Sequence, residues 1–283
     1  MIQDDFQKRA KQWLTIYKRE FLHVSEDGIW LRNGRPYGHI LPQEKYRLNI
    51  LAGFRDEFWK WFSTQRIQLQ RDFHHLNSSQ ALSFNLFFPL MIEEGQGLAA
   101  LLKAMNVTGS VDGTAAFEFQ PDPSEGTCLD FSLTLKPGTH VNFEIKYTES
   151  EFGSARADRS HLDKFEAVYK GKLSGRFDES FCCASRFLKH YQIGRNVWHL
   201  NKEAGDMAVF LFPRANARLL QDEKVIRSCA VEPFRSRIRV LYLEDLITAL
   251  EPELRGMGGG GQQYLSELRL KYLPQEVVTG TAT

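Results

Sequence analysis

The chain has 283 residues, enough for one large domain or two smaller ones. Hydrophobic residues make up 42% of it and charged residues 25%, which excludes a largely disordered chain. Lys plus Arg number 36 and Asp plus Glu number 35, so no overall positive charge points to nucleic acid, although acidic metal ligands can offset a local basic surface.

Cysteine usage and the short apolar runs predict a reduced, cytoplasmic protein. The four cysteines include the adjacent pair Cys182-Cys183 and no Cys-x-x-Cys spacing, which argues against a disulfide framework and against a zinc site. The first ten residues are polar and charged, unlike a secretory signal. The most apolar stretches, 84–92 and 207–212, are too short to span a bilayer, so we expect no membrane partner.

Helical periodicity dominates the first third of the sequence. Apolar residues at helical spacing predict a helix over Asp4–His23 and, after a turn-rich stretch, a second helix over Leu51–His75. A third helix is predicted to begin with Asn77 as its N-cap and Gln80 in a capping box. Its run 81–90 is apolar on nearly all sides, so we expect this helix to be buried.

The pattern then changes to the alternation of β-strands. Thr114–Gln120 is a predicted strand, and Thr127–Lys136 and His140–Thr148 both alternate apolar and polar residues. Pro137-Gly138 lies between the last two segments and is typical of a turn. We therefore expect these two strands to pair antiparallel.

A polar, charged loop over Glu149–Glu179 precedes the last elements. These are predicted as the helix Phe181–Asn201, the buried strand Met207–Pro213, the strand Ile238–Tyr242 and the helix Leu243–Leu250. The glycine-rich segment 256–261 is predicted to be a flexible loop, and the tail after Pro274 is expected to fray. The central order is therefore helix, three strands, helix and strand.

Two acids and a lysine are expected to converge on the polar side of the strand pair. Asp130 lies on the first strand, and Glu144 and Lys146 lie two residues apart on the second, where they share a face. Two adjacent carboxylates suit Mg²⁺ or Mn²⁺, and a lysine beside them can orient a water or stabilise charge on a phosphate. On these residues alone, phosphodiester hydrolysis and an exposed strand face with a salt bridge are equally good interpretations.

Asp130 followed by Glu144-Ile145-Lys146, in that order of elements, resembles the PD-(D/E)xK nuclease superfamily. The segments 77–85, 143–149 and 191–196 resemble, more narrowly, a family of bacterial restriction endonucleases within it. The resemblance implies an α/β fold with a restriction-endonuclease-like core of αβββαβ order, in which helices flank a central mixed sheet. Leu129 replaces the proline of the superfamily signature, a position that varies widely.

The domain organisation expected from this resemblance has three parts. An N-terminal helical extension takes residues 1–76, the catalytic core takes 77–215, and a C-terminal elaboration packed on the core takes 216–283.

The resemblance also implies roles for individual residues. Asp130, Glu144 and the main-chain carbonyl of Ile145 would ligate Mg²⁺, with Mn²⁺ able to substitute, and Lys146 would position the attacking water. It also places a glutamine of the following helix near the metal, and Gln192 is the candidate.

Other polar residues have both a functional and a structural interpretation. Glu118, on the strand before Asp130, is either a further acidic metal ligand or a solvated carboxylate. Arg195 could contact phosphate or belong to an ordinary helix surface. Gln80 and Asn85 could reach the active site, or could cap their helix and hydrogen-bond its backbone.

Together these patterns and the resemblance predict a Mg²⁺-dependent endonuclease that cuts DNA, and the resemblance alone implies a restriction or defence system. The loop 149–179 follows Lys146 directly and is rich in Lys and Arg, so it is the expected DNA contact. Cutting both strands is simplest with two symmetric sites, which favours a homodimer. The alternatives are a catalytically inactive nucleic-acid-binding module of the same fold and a protein–protein interaction module.

Overall fold

The computed structural model describes residues 5–93, 95–255 and 259–274 and divides into two compact units. The helical unit takes the chain up to Ala104 and again from Ile247, and the sheet unit is Met105–Leu246. The domain boundaries expected from the sequence, after residues 76 and 215, stay a prediction.

In chain order the helices and strands are α1 (Asp5–Glu20), β1 (Gly28–Trp30), β2 (Arg35–Tyr37), α2 (Arg55–Phe62), α3 (Ser79–Ile92), α4 (Gln96–Ala104), β3 (Val111–Phe119), β4 (Leu129–Leu135), β5 (Thr139–Ile145), α5 (Arg159–Lys164), α6 (Ala184–Lys189), α7 (Tyr191–Trp198), β6 (Met207–Phe212), α8 (Leu219–Ser228), β7 (Ile238–Tyr242), α9 (Leu243–Leu254) and α10 (Gly259–Tyr272). Every predicted strand forms, and no end differs from the prediction by more than three residues. No helix in the described ranges is long and apolar enough to cross a membrane.

The predicted second helix is wrong over most of its length, because only the short 3₁₀ helix Ala52–Phe54 and α2 form within it. Side chains satisfy the backbone of the following segment in place of helical hydrogen bonds. Asn49 donates to the carbonyls of Phe73 and His75 at 2.5 and 2.8 Å, and Ser63 donates to the carbonyl of Lys60 at 2.7 Å. Such local side-chain bonds compete with helix formation.

Helix α3 is buried as expected, but its first turn differs from the prediction. Ser78, rather than Asn77, is the N-cap, and its side chain accepts a hydrogen bond from the amide of Ala81. Gln80 turns away from the helix end, since its amide accepts from the backbone of Gln70 at 2.8 Å and donates to the carbonyl of Gln68 at 3.0 Å. The predicted N-cap at Asn77 is therefore wrong, and Gln80 is the second residue of the helix, not the third.

The sheet unit contains a five-stranded mixed sheet in the order β3-β4-β5-β6-β7. Strands β3, β4 and β5 are antiparallel, as predicted for the last two, whereas β6 and β7 continue parallel to β5. Phe131 of β4 pairs with Phe143 of β5, which pairs with Val209 of β6, and all three are fully buried. Helices flank this sheet, so the predicted α/β class is confirmed.

The predicted helix Phe181–Asn201 is wrong as a single helix, because it is broken at His190 into α6 and α7. The break lets Phe187 pack directly on Gly194, where an added Cβ would lie 2.7 Å from the Phe187 ring. A side chain at position 194 would therefore separate the two helices.

The predicted polar loop is anchored by apolar residues at every fourth position. Phe165, Tyr169, Leu173, Phe177 and Phe181 are all at most 3% exposed and join one hydrophobic core. The segment contains α5, a π-helical turn and short 3₁₀ turns, so it is more regular than a loop.

Two expectations concern the glycine-rich segment and the C-terminal tail. Gly259, Gly260 and Gly261 begin α10, so the predicted flexible loop is wrong for these residues, and residues 256–258 lie outside the described residues. The tail from residue 275 also lies outside them. All four cysteines are free thiols, as expected.

Candidate active site

Asp130 and Glu144 are neighbours on the antiparallel strands β4 and β5. Phe131 pairs with Phe143, so Asp130, one residue before Phe131, lies opposite Glu144, one residue after Phe143. The amide of Ile145 donates to Oδ2 of Asp130 at 2.6 Å, which fixes this carboxylate against the end of β5. The structure therefore brings together the two acids that the sequence predicted.

Glu144 is held by two side chains. Lys146 Nζ donates to Oε1 of Glu144 at 2.7 Å, and Asn196 Nδ2 donates to Oε2 at 3.0 Å. Glu144 is 3% exposed and Lys146 is 9% exposed, so the ion pair is largely withdrawn from solvent. Such pairing and hydrogen bonding are what a buried charge requires.

The electrostatics show an excess of negative charge around Lys146. Burial and the nearby Glu144 raise the pKa of Asp130 well above its usual 3.8. Burial lowers the pKa of Lys146, but Glu144, Asp130 and Glu149 outweigh it and raise that pKa above its usual 10.5. The lysine is thus an ammonium at neutral pH, and a further cation would relieve the repulsion between the carboxylates.

Glu118 lies beside Asp130 on the neighbouring strand β3. Its neighbours Phe117 and Phe119 pair with Phe131 and Leu129, which places Glu118 opposite Asp130, and its charge contributes to the raised pKa of that acid. Glu118 has a φ of 49°, in the left-handed region that non-glycine residues rarely adopt. Backbone strain of this kind clusters at functional sites. The positive φ also means that the Glu118 side chain does not point where simple strand alternation would place it.

The donors at this site suit a hard cation. They are carboxylate oxygens from two strands, with no thiol or imidazole in the set, and Asp130 is only partly buried. Mg²⁺ keeps several waters and takes few protein carboxylates, so the two acids fit it. Within the described ranges, no group of three or more His, Cys, Asp or Glu side chains gathers tightly enough to hold a metal by itself.

Helix α7 supplies Asn196 to Glu144, a residue that the sequence analysis missed. The predicted Gln192 lies one turn earlier. Its main-chain carbonyl accepts from Asn196 Nδ2 at 2.9 Å, and its side chain lies against Gly153. Residues four apart share a helix face, so the spacing to Gln192 could have pointed to Asn196. The role of Gln192 stays a prediction.

Arg195, on a neighbouring face of α7, and His199, just after the end of that helix, both bind Glu125. Arg195 Nε and His199 Nε2 lie 2.9 Å from the Glu125 carboxylate, and Lys164 Nζ lies 3.1 Å from it. Burial favours the neutral acid, but hydrogen bonds from His199, Thr127, Tyr169 and Arg195 outweigh it and hold the pKa of Glu125 far below 4.5. Glu125 therefore ties the β3–β4 connection to α5 and α7.

Gln80 and Asn85 fit their structural interpretation within the helical unit. Asn85 accepts from the amide of Leu51 at 2.8 Å and donates to the Asn49 carbonyl at 2.9 Å and to the Tyr272 hydroxyl at 2.7 Å. Gln80 is bonded to backbone on both sides of its amide, as described above.

The fold and the site thus define an α/β protein with two acids and a lysine at one end of an antiparallel strand pair. Residues 10–273 match the model of a family described as Restriction Endonuclease associating with ARP, and the chain belongs to this family. No curated protein and no solved structure matches the chain. This match confirms the expected likeness to restriction endonucleases, whereas a place in the PD-(D/E)xK superfamily stays a proposal.

Proposed function

We propose that this protein is a divalent-metal-dependent endonuclease of the PD-(D/E)xK type, which hydrolyses DNA phosphodiester bonds in a restriction or defence system. The observation that carries the proposal is the meeting of Asp130, Glu144 and Lys146 at one end of β4 and β5. The connection of these strands through α6 and α7 to the parallel strand β6 supports an αβββαβ core.

Asp130, Glu144 and the carbonyl of Ile145 would hold Mg²⁺, or Mn²⁺ in its place, and Glu118 is the candidate for a further ligand. When bound, the metal polarises the phosphoryl group and lowers the pKa of a water. Because carboxylates keep Lys146 protonated, we infer that this ammonium donates to the phosphate or the attacking water and does not act as the base. Asn196 fixes the orientation of Glu144.

Cleavage of supercoiled plasmid with Mg²⁺, with Mn²⁺ and with a chelator tests the proposal. We expect metal-dependent cleavage by the wild type and losses on the order of 100-fold or more for Asp130→Asn and Lys146→Ala. Asp112→Asn and Lys103→Ala are matched controls, since their side chains are 48% and 72% exposed, and they should cut like the wild type. Wild-type rates for the two site variants would refute this catalytic assignment.

The same assay separates the alternative of an inactive nucleic-acid-binding module. Such a module would bind DNA in a salt-sensitive way and leave the plasmid intact in every metal.

Two associations complete the proposal. A homodimer would offer one site to each DNA strand, which sedimentation of the protein with and without duplex DNA would detect. The family description names an association with ARP, and we propose the same for this chain, to be tested by co-purification.

A further inference from the structure

The chain leaves the sheet directly after Glu144 yet keeps Lys146 in place. Strand β5 ends at Ile145, and the amide of Lys146 makes one further bond to β6, where it donates to the carbonyl of Leu211 at 3.0 Å. The 147–149 segment that follows belongs to no helix or strand. The position of the Lys146 side chain therefore depends on what fixes this segment.

Asn216 binds both ends of the 147–149 segment. The residue lies between β6 and α8 and is fully buried, and its Nδ2 donates to the carbonyls of Tyr147 and Glu149 at 3.1 and 2.9 Å. One side-chain amide thus bridges two carbonyls that are two residues apart. Buried hydrogen-bonding groups are costly to leave without a partner, so this bridge favours a single conformation of the segment.

Asn216 is itself anchored at the start of α8. Its amide donates to the carbonyl of Pro213 at 3.0 Å, and its Oδ1 accepts from the amide of Leu219 at 3.4 Å. Its carbonyl accepts from the amide of Leu220 at 3.2 Å. Because its main chain and both ends of its side-chain amide are bonded, Asn216 presents Nδ2 in one orientation. The 147–149 segment is thus tied to the β6–α8 connection by a fixed donor.

Glu149 closes the same segment and adds a negative charge near the lysine. Its Oε2 accepts from the amide of Tyr147 at 2.6 Å. Burial lowers the pKa of Lys146, and nearby carboxylates, among them Glu144 and Glu149, outweigh burial and raise it. The ammonium thus interacts with carboxylates before and after it in the chain. A different conformation of the 147–149 segment would move both the lysine and one of these charges.

The two acids of the candidate site are held by other groups. A main-chain amide of β5 donates to Asp130, and Asn196 donates to Glu144. The hydrogen bonds of Asn216 reach the chain only beyond Lys146. Loss of the Asn216 side chain should therefore displace the lysine and leave the two carboxylates held.

We propose that Asn216 is a positioning residue for Lys146, which fixes the 147–149 segment through two carbonyls and so keeps the ammonium beside Glu144. The effect on catalysis rests on the proposed function, whereas the position of the lysine does not. Asn216 should therefore influence the cleavage rate at saturating Mg²⁺ rather than the Mg²⁺ concentration that the reaction requires.

The direct test is competitive labelling of the lysines of the full chain with acetic anhydride, without DNA, quantified by mass spectrometry. Lys103, whose side chain is 72% exposed, is the internal reference. In Asn216→Ala, Lys146 should react on the order of tenfold faster, since a pKa that is lower by about 1 raises the fraction of free amine about tenfold. Asn216→Ser should react as fast, because its hydroxyl can still accept at the start of α8 but is too short to reach the two carbonyls.

The matched control is Ile226→Ala. Ile226 is fully buried in α8, so its truncation lowers the free energy of unfolding in the same part of the fold without removing a hydrogen bond to residues 147–149. Lys146 of this variant should react like that of the wild type. Urea unfolding first shows that each variant is folded. If neither Asn216 variant folds, Glu149→Ala opens the same segment from its half-buried end and should also speed up the labelling of Lys146.

Plasmid cleavage gives the second readout. At saturating Mg²⁺, Asn216→Ala should cut about 10- to 100-fold more slowly than the wild type, because small displacements of a catalytic group have effects of this size. Its half-saturating Mg²⁺ concentration should match that of the wild type, in contrast to a variant that loosens a metal ligand.

Three outcomes overturn the inference: unchanged labelling of Lys146 in a folded Asn216 variant, equally fast labelling in Ile226→Ala, or a raised Mg²⁺ requirement with an unchanged rate at saturation. Faster labelling in the Asn216 variants, with no cleavage by the wild type in any metal, supports this inference and refutes the endonuclease proposal. Metal-dependent cleavage by the wild type, with unchanged labelling in the Asn216 variants, does the reverse.

Discussion

The most informative single change at the candidate active site is Asn196→Ala. The substitution removes the hydrogen bond from Nδ2 to Oε2 of Glu144, which leaves this buried carboxylate with Lys146 on its other oxygen. Hydrogen bonds to charged groups contribute about 1.5–3 kcal/mol, so we expect a stability loss of about 2 kcal/mol. Partners that orient metal ligands change metal affinity or activity by about 10- to 100-fold when removed.

The assays are urea unfolding and the rate of plasmid cleavage against Mg²⁺ concentration. The Mg²⁺ concentration at half-maximal rate should rise at least about tenfold, because a looser Glu144 binds metal less well. Asn142→Ala is the matched control: Asn142 is 4% exposed, lies two residues before Glu144 and accepts from Ser132 at 2.7 Å. It should lose stability without a change in the Mg²⁺ requirement. An unchanged Mg²⁺ requirement for Asn196→Ala would show that Asn196 serves structure alone.

Three further predictions concern stability. Glu125→Gln breaks a buried ion-pair cluster and should lower the free energy of unfolding by about 3–5 kcal/mol at neutral pH. Because the folded-state pKa of Glu125 lies far below 4.5, this loss of stability should be constant above pH 4.5 and should shrink as the pH falls below it. Urea unfolding that shows no such decline down to pH 3 would contradict this reasoning. Asp130→Asn should raise the melting temperature in a chelator, because the raised pKa of Asp130 means that its negative charge opposes folding at neutral pH. Added Mg²⁺ should then raise the melting temperature of the wild type only. A lower melting temperature for Asp130→Asn in the chelator would count against this reasoning. Gly194→Val should destabilise by about 1–3 kcal/mol through its clash with Phe187, whereas a variant as stable as wild type in urea would mean that α6 and α7 separate freely.

The sequence predicts the parts of the site that depend on local alternation. Asp130 and Glu144 lie on β4 and β5, and Lys146 directly follows β5. The alternation of these segments and the Pro-Gly turn between them are visible in the sequence, so the convergence of the three residues follows from neighbouring residues alone. Glu125 could not be found in this way, because its charged partners lie 39 to 74 residues further along the chain. Its burial depends on tertiary contacts that no local pattern encodes.

The predictions of two helices were wrong because they, too, depend on tertiary contacts. The segment after α2 has helical spacing, yet Asn49 and Gln80 satisfy its backbone from outside the segment. The break at His190 likewise reflects the packing of Phe187 on Gly194. In both places tertiary contacts overrule a local preference that is worth only a fraction of a kcal/mol per residue.

In the segment between β5 and α6, one set of residues is buried in the core and another set is exposed to solvent. One residue in four, from Phe165 to Phe181, is fixed in the core, while Lys170 and Lys172 between them face solvent. Substitutions at the exposed positions among them, such as Lys170, change charge and hydrogen-bonding capacity without removing a buried residue. Under the proposed function, surface substitutions in this segment would change contacts with DNA while the buried residues keep the segment in place.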